Sequence, residues 1–236
     1  MEAVFLGMNQ AGEEVYEWLN QRDDIEILAL LTEKEQLSLI QELEPEIVIS
    51  AGFEHKVPKE VIEVPEKGIV NLHPSYLPYN RGSHAFIWPI ADRNVAGVSI
   101  HYMTEKIDEG PLIDKKKVDI EPNDTAGSLH DKLMNEQVEQ FKEFWPRIKE
   151  GIRTEEQDPE NGNTHYKKEL DEYTELDLNE RLKAGEIIDK LRALTYKDQK
   201  LAFFEKNGEK YYISVDIVQE SEVSSEDGSI SKDFSK

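Results

Sequence analysis

The sequence predicts an α/β fold, a mostly parallel sheet with helices on both faces, followed by a small C-terminal appendage of one helix and a β-hairpin. Three observations carry this expectation. Short, continuous apolar runs alternate with helix-period segments through the first half of the chain, as expected of parallel strands buried on both faces and joined by crossover helices. A long amphipathic segment closes that half. Further on, Asn207-Gly208 stands between two aromatic runs, the strongest short hairpin signal a sequence offers.

Taken in order, residues 3–8 form an apolar strand that ends at Gly7 and a polar turn. In 12–21, Val15, Trp18 and Leu19 recur at helical spacing. Residues 25–31 read as a second strand and 35–43 as a helix stopped by Pro45. A third strand covers 47–51, a helix with proline in its first turn covers 58–64, and a fourth strand covers 68–72. The stretch 73–83 is a loop rich in Pro, Tyr, Asn and Gly. A helix is predicted over 85–92 and strands over 97–102 and 112–118. Residues 125–150 form the long helix, with Leu129, Leu133, Val138, Phe141, Phe144 and Ile148 as its apolar stripe and Asn123 or Asp124 as its cap. Residues 151–171 are charged and poor in aliphatics, a linker or ordered loop. A helix over 184–194 precedes the hairpin of 201–206 and 210–218. The Ser/Glu/Asp-rich stretch 219–236 lacks apolar periodicity and is expected to be disordered. The expected units are therefore an α/β domain over 1–150, an extension over 151–218 and an acidic tail over 219–236.

Composition narrows the function. Of 236 residues, 38% are hydrophobic and 33% charged, enough apolar material for a sizeable core. The 50 acidic residues outnumber the 28 basic ones, giving a net charge of −22. Such a polyanion repels phosphate backbones, so no large nucleic-acid surface is expected. The absence of cysteine excludes disulfides, thiolate metal sites and thiol nucleophiles. No apolar run reaches the length of a membrane span, and Met1 leads directly into a strand with no signal peptide. A cytoplasmic protein with no membrane partner is expected.

The densest cluster of chemically useful side chains is Asn71-Leu72-His73-Pro74-Ser75-Tyr76-Leu77-Pro78-Tyr79-Asn80-Arg81-Gly82. It begins where a buried strand ends, the place where open α/β sheets bind ligands. Two residues apart on a strand, Asn71 and His73 share one side. An amide donor beside an imidazole suits a site that stabilises an oxyanion and moves a proton. On residue types alone, an Asn and a His that cap loop backbone account for the pattern at least as well. A second cluster, 97–102, delivers a loop with Asp108 ahead of Gly110. Asp108 is either a turn former or the group that orients His73, and His101 reads equally well as a satisfied strand histidine. No metal site is expected, because His73, His84, His101 and Asp108 lack the close helical spacing of zinc motifs. The turn 7–12 is not G-x-G-x-x-G, and no G-x-S-x-G elbow occurs.

Asn-x-His-Pro-Ser-x-Leu-Pro-x-x-Arg-Gly, followed by Gly97-Val98-Ser99-Ile100-His101 and then Asp108-x-Gly110-Pro111-x-Ile113, resembles the folate-dependent formyltransferase family. Phe5-Leu6-Gly7-Met8-Asn9 and Ser50-Ala51-Gly52-Phe53 fit as well, so the resemblance covers roughly residues 1–150. It implies a Rossmann-like fold, N10-formyltetrahydrofolate as formyl donor, and a catalytic trio at Asn71, His73 and Asp108. In that chemistry an amine attacks the formyl carbon, Asn71 and a protonated His73 donate to the oxyanion, and Asp108 holds the imidazole and helps remove the amine proton. The resemblance further implies a pterin site near 53–57 and 103–108, lined by Phe53, Val57 and Ile107.

Among the branches of that family, methionyl-tRNA formyltransferases append a nucleic-acid-binding β-barrel and need basic surface, and glycinamide ribonucleotide enzymes carry a glycine/serine-rich phosphate loop where this chain has Met8-Asn9-Gln10. Arg81-Gly82, Ile87-Trp88-Pro89-Ile90, His101-Tyr102-Met103, Thr164-His165 and the run 188–195 are similar to the sugar N-formyltransferase branch instead. That similarity implies a nucleotide-linked amino sugar as acceptor, with Arg81, His165 and Lys168 as substrate contacts, and a homodimer. It departs from the branch at Tyr196-Lys197-Asp198-Gln199, where a Phe-Pro-Pro run is frequent. An inactive folate-binding protein, and an interaction module built on the acidic tail, are the alternatives from other classes.

Overall fold

A computed structural model describes residues 1–222. Of the expected disordered tail, only 219–222 falls within the described residues, and Glu220–Glu222 forms a 3-10 turn. The elements run β1 (Glu2–Leu6), α1 (Gln10–Asn20), β2 (Glu26–Leu31), α2 (Ser38–Leu43), β3 (Ile47–Ala51), α3 (Lys59–Ile62), β4 (Ile69–His73), β5 (Arg81–Gly82), α4 (Trp88–Ala91), β6 (Ala96–Tyr102), β7 (Leu112–Val118) and α5 (Ala126–Glu150). After them come β8 (Thr164–His165), α6 (Lys167–Tyr173), α7 (Ala184–Ala193), β9 (Thr195–Tyr196), β10 (Gln199–Lys200), β11 (Ala202–Lys206) and β12 (Glu209–Ile213).

Six strands form the main sheet in the order β2-β1-β3-β4-β6-β7. The first four are mutually parallel, and β6 runs antiparallel to both β4 and β7. The period-two alternation of side chains sorts the strand residues into two cores. Ala3, Phe5, Ile47, Ile49, Val70, Leu72, Val98 and Ile100 face α1 and α5, where Val15, Leu19, Leu133, Phe141 and Trp145 are fully buried. Val4, Leu6, Val48 and Ile69 face the other way, against Leu37, Ile40, Val57 and Val61 from α2, α3 and their flanking turns.

Three local readings need correction. The helix expected over 85–92 is confined to Trp88–Ala91, because His84 takes a positive φ of 57° and the chain turns sharply before it. The cap of α5 is neither Asn123 nor Asp124 but Thr125, whose Oγ1 accepts from Ser128 N at 3.4 Å. Asp124 turns inward instead and accepts from Glu121 N, Ser128 Oγ and Lys132 Nζ. The second hairpin strand stops at Ile213 rather than 218. The turn itself is as expected: Asn207 and Gly208 have φ of 57° and 79°, the two positive angles a two-residue type I′ turn requires.

No helix among the described residues is long and apolar enough to cross a membrane.

Candidate active site

The face sorting of the sheet places the polar cluster. In β4, Val70 and Leu72 point into the α1/α5 core, so Ile69, Asn71 and His73 point to the opposite face. In β6, Val98 and Ile100 occupy the same core, so Ser99 and His101 join Asn71 and His73. The antiparallel register makes Asn71 the direct partner of His101, and His73 of Ser99. Toward the carboxyl end of β4 this face therefore turns from apolar to polar within one strand. Asn71, His73 and His101 are all buried, at 8%, 6% and 1% exposure.

Asp108 closes the cluster from the loop after β6. Its φ of 51° puts it in the left-handed region, which a non-glycine residue holds only when the surroundings over-determine it. Gly110 follows where a Cβ would collide with the Tyr102 carbonyl oxygen, so the turn cannot carry a larger residue there. The Asp108 carboxylate has Oδ2 3.6 Å from His73 Nε2 and Oδ1 3.6 Å from His101 Nε2. Gly82 N donates to Oδ2 at 2.8 Å.

His73 Nε2 faces two acceptors, the Asn80 carbonyl oxygen at 3.3 Å and Asp108, so it bears the ring hydrogen. Nδ1 is left as the basic nitrogen of the neutral ring. His101 Nδ1 lies 2.9 Å from Tyr102 O, and its Nε2 lies 3.1 Å from Asn71 Nδ2 and 3.6 Å from Asp108 Oδ1. Burial lowers the pKa of His73, and His101 lowers it further, against the opposing pull of Asp108 and the Asn80 carbonyl. That lowering favours the uncharged ring in the resting site. For Asp108 burial acts upward, but His73, His101 and the Gly82 N–H together hold the carboxyl well below the usual carboxylate range. A neutral imidazole backed by a fixed carboxylate can take a proton and hold it as an ion pair.

Of the other residues singled out from the sequence, Val57 is buried in the apolar cluster on the same side of the sheet as Asn71 and His73, and Phe53 packs against that cluster, as does Met103. Ile107 stands 45% exposed in the loop before Asp108. An apolar floor beside a strip of polar donors fits a flat, partly apolar heterocycle such as a pterin. Arg81 is buried, with Nε donating to Thr164 Oγ1 at 3.0 Å and Nη1 3.5 Å from Glu109. His165 stacks on Trp88 at 4.0 Å and is engaged at both ring nitrogens, by Glu169 on one side and by Asn163 and Asp92 on the other. Lys168 lies on the exposed face of α6, 3.2 Å from Glu172. The structure thus unites Asn71, His73 and Asp108, sets Arg81 next to them through Gly82, and brings neither His165 nor Lys168 into contact with them. His101 joins the group through a cross-strand register that the sequence does not display. Its one available signal was that it shares its strand face with Ser99 across from the Asn71/His73 pair.

Residues 27–144 match the Formyl transferase family, and residues 169–219 match the N-formyltransferase dimerization C-terminal domain. The chain is 34% identical over 173 residues to a dTDP-4-amino-4,6-dideoxyglucose formyltransferase of Mycobacterium tuberculosis, covering 72% of each protein. It is 39% identical to a methionyl-tRNA formyltransferase of Clostridioides difficile, but over 120 residues that make up 50% of this chain and 39% of that one. Among solved structures, a sugar N-formyltransferase candidate from Mycobacterium tuberculosis superposes with a TM-score of 0.84 at 27% identity, over 93% of this chain and 98% of the other. A formyltransferase from Anoxybacillus kamchatkensis, solved with a UDP-linked 4-formamido sugar and tetrahydrofolate, gives a TM-score of 0.67 at 25% identity, over 82% and 98%.

Proposed function

The chain belongs to the formyl transferase family, and on that premise we propose that it moves a formyl group from N10-formyltetrahydrofolate to the amino group of a nucleotide-linked amino sugar. The observation that carries this reading is the convergence of Asn71, His73 and Asp108 on one sheet face beside the Phe53/Val57/Met103 floor. Similarity to a sugar enzyme extends over 72% of this chain, while similarity to methionyl-tRNA formyltransferases of Clostridioides difficile and Bacillus licheniformis covers 50% and 56%. The net charge of −22 also disfavours a tRNA acceptor. A dTDP-linked 4-amino-4,6-dideoxy sugar is the first acceptor to test.

In the proposed reaction, Asn71 donates its amide hydrogen to the oxygen of the tetrahedral intermediate. One such donor contributes about 2–4 kcal/mol to barrier lowering. His73, neutral at rest, takes the proton released by the attacking amine at Nδ1. Asp108 stabilises the imidazolium that results. The same proton is then available to the departing nitrogen of the donor, so amine and donor exchange one hydrogen for one formyl group. Phe53, Val57 and Ile107 would border the donor, and Arg81 the acceptor. Residues 1–150 carry the chemistry in this reading and 151–218 the assembly of a homodimer. We place the reaction in the cytoplasm.

The test is a mass-spectrometric screen of nucleotide-linked amino sugars incubated with the enzyme and N10-formyltetrahydrofolate. A formamido product from one of them is expected. Donor that stays intact with every acceptor would argue for the inactive folate-binding alternative.

A further inference from the structure

Residues 155–165 lie outside both matched regions, which end at 144 and resume at 169. In the sequence they read as a linker or loop. In the structure they form a strap fastened first to the start of β7 and then to the loops that carry Asp108 and Asn80. Glu155 pairs with Leu112 through two backbone hydrogen bonds of 2.7 and 2.9 Å. Gln157 Nε2 donates to the carbonyl oxygens of Asp108 and Gly110, at 2.9 and 2.6 Å. Gly162 passes so close to Pro78 that a Cβ would collide with its carbonyl oxygen. Asn163 takes Asn80 N at 2.8 Å on its side chain and Arg81 N at 3.1 Å on its backbone, and β8 pairs with β5. At the far end are the Asn80 carbonyl that faces His73 and the Gly82 N–H that holds Asp108.

We propose that Gln157 is a positioning residue for formyl transfer: its amide clamps the backbone on both sides of the turn that carries Asp108, and so sets the distance between the Asp108 carboxylate and His73. The inference rests on the catalytic reading given above. Both N–H bonds of the Gln157 amide are spent on this turn, while Oε1 is buried without a hydrogen-bond partner. A side chain present for packing alone has no reason to leave its acceptor unpaired in order to aim its donors. The turn needs such a clamp, because Asp108 sits in the left-handed region and the adjoining loop residues Thr104–Ile107 are exposed. Glutamate at 157 would oppose two carbonyl oxygens with a carboxylate, and a shorter side chain would not span both.

The experiment uses the full chain with Gln157→Met, which keeps volume and removes both donors, and Gln157→Glu as a second variant. The expected result is a fall in kcat of at least about tenfold, since a misplacement of about 1 Å can cost a hundredfold, with KM for donor and acceptor changed less than about threefold. Ring-nitrogen NMR should also show the His73 titration moving to lower pH. Asp108 is the nearby charge that raises it, the Asn80 carbonyl raises it by hydrogen bonding, His101 opposes, and the group that the variant releases is Asp108. Wild-type kcat with an unmoved His73 titration would overturn the proposal, as would a lowered melting temperature that leaves both unchanged well below the melt. Asp108→Asn is measured alongside. If it retains turnover, the catalytic reading falls and takes this inference with it; if it is inactive while Gln157→Met is normal, only the clamp is refuted.

Discussion

Asn71 and His73 were legible as a pair because strand parity is local: two residues apart on one strand means one face. Asp108 was legible only as a turn residue on its own terms, and its place beside His73 came from the resemblance. His101 could not be assigned from sequence, since its link to Asn71 is the β4–β6 register, a choice made by tertiary pairing. At this scale, replacing Asn71, His73 or Asp108 by Ala should lower turnover at least about a hundredfold each while the fold survives, because none is a large apolar core residue. The losses should not add in double variants, because the groups act as one unit. Steady-state kinetics with both substrates saturating checks this, and near-normal turnover in His73→Ala contradicts it. Burial also makes a titration prediction. A lowered folded pKa keeps the ring neutral to lower pH, so the midpoint of His73 in ring-nitrogen NMR should fall below about 6.5. The same sign applies to stability: the unfolded chain binds the His73 proton more readily, so this residue's burial costs stability as pH falls from the ordinary imidazole value toward the lowered one. A midpoint above the ordinary value would contradict the neutral resting ring.

The main strands and the long helix were legible because each carries several apolar residues at a fixed period. The short elements were not. β5 and β8 have two residues each, too few for any period, and they pair across some eighty residues of chain. The strap of 155–165 looks like a linker because its role is carried by backbone groups and amides rather than apolar side chains. The Asp108 turn makes a sharp prediction at this level. Gly110→Ala places a methyl against the Tyr102 carbonyl oxygen, so the turn must shift and carry Asp108 with it. Turnover should fall at least about tenfold with only a modest change in melting temperature. Unchanged kcat would mean that the turn is softer than its packing indicates.

For the whole molecule, the C-terminal segment leaves apolar surface uncovered. Leu178, Ile188, Tyr211 and Tyr212 are 60%, 46%, 45% and 51% exposed. On the hairpin, Phe203 pairs with Tyr212 and Phe204 with Tyr211 across the strands, so adjacent residues put aromatic pairs on both faces. A two-stranded hairpin cannot bury both by itself, and the segment matches a dimerization domain. The aromatic runs and the Asn-Gly turn were readable in the sequence, whereas which rings stay uncovered depends on where the hairpin is tied, by Leu176 and Thr174 to Phe203. Light scattering should give a dimer for the full chain and a monomer for a truncation after Leu194. With a net charge of −22 on each copy, association should strengthen as salt screens the repulsion. A full-length monomer at micromolar concentration in high salt would refute the interface and leave the chemistry untouched.

The central claim is that Asn71, His73 and Asp108 form a formyl-transfer site for a nucleotide-linked amino sugar. The most direct measurement incubates dTDP-4-amino-4,6-dideoxyglucose with N10-formyltetrahydrofolate and follows the formamido sugar by mass spectrometry, with wild type and His73→Ala side by side. The account predicts product with wild type and a rate at least about a hundredfold lower with the variant. Equal rates for the two enzymes would contradict it.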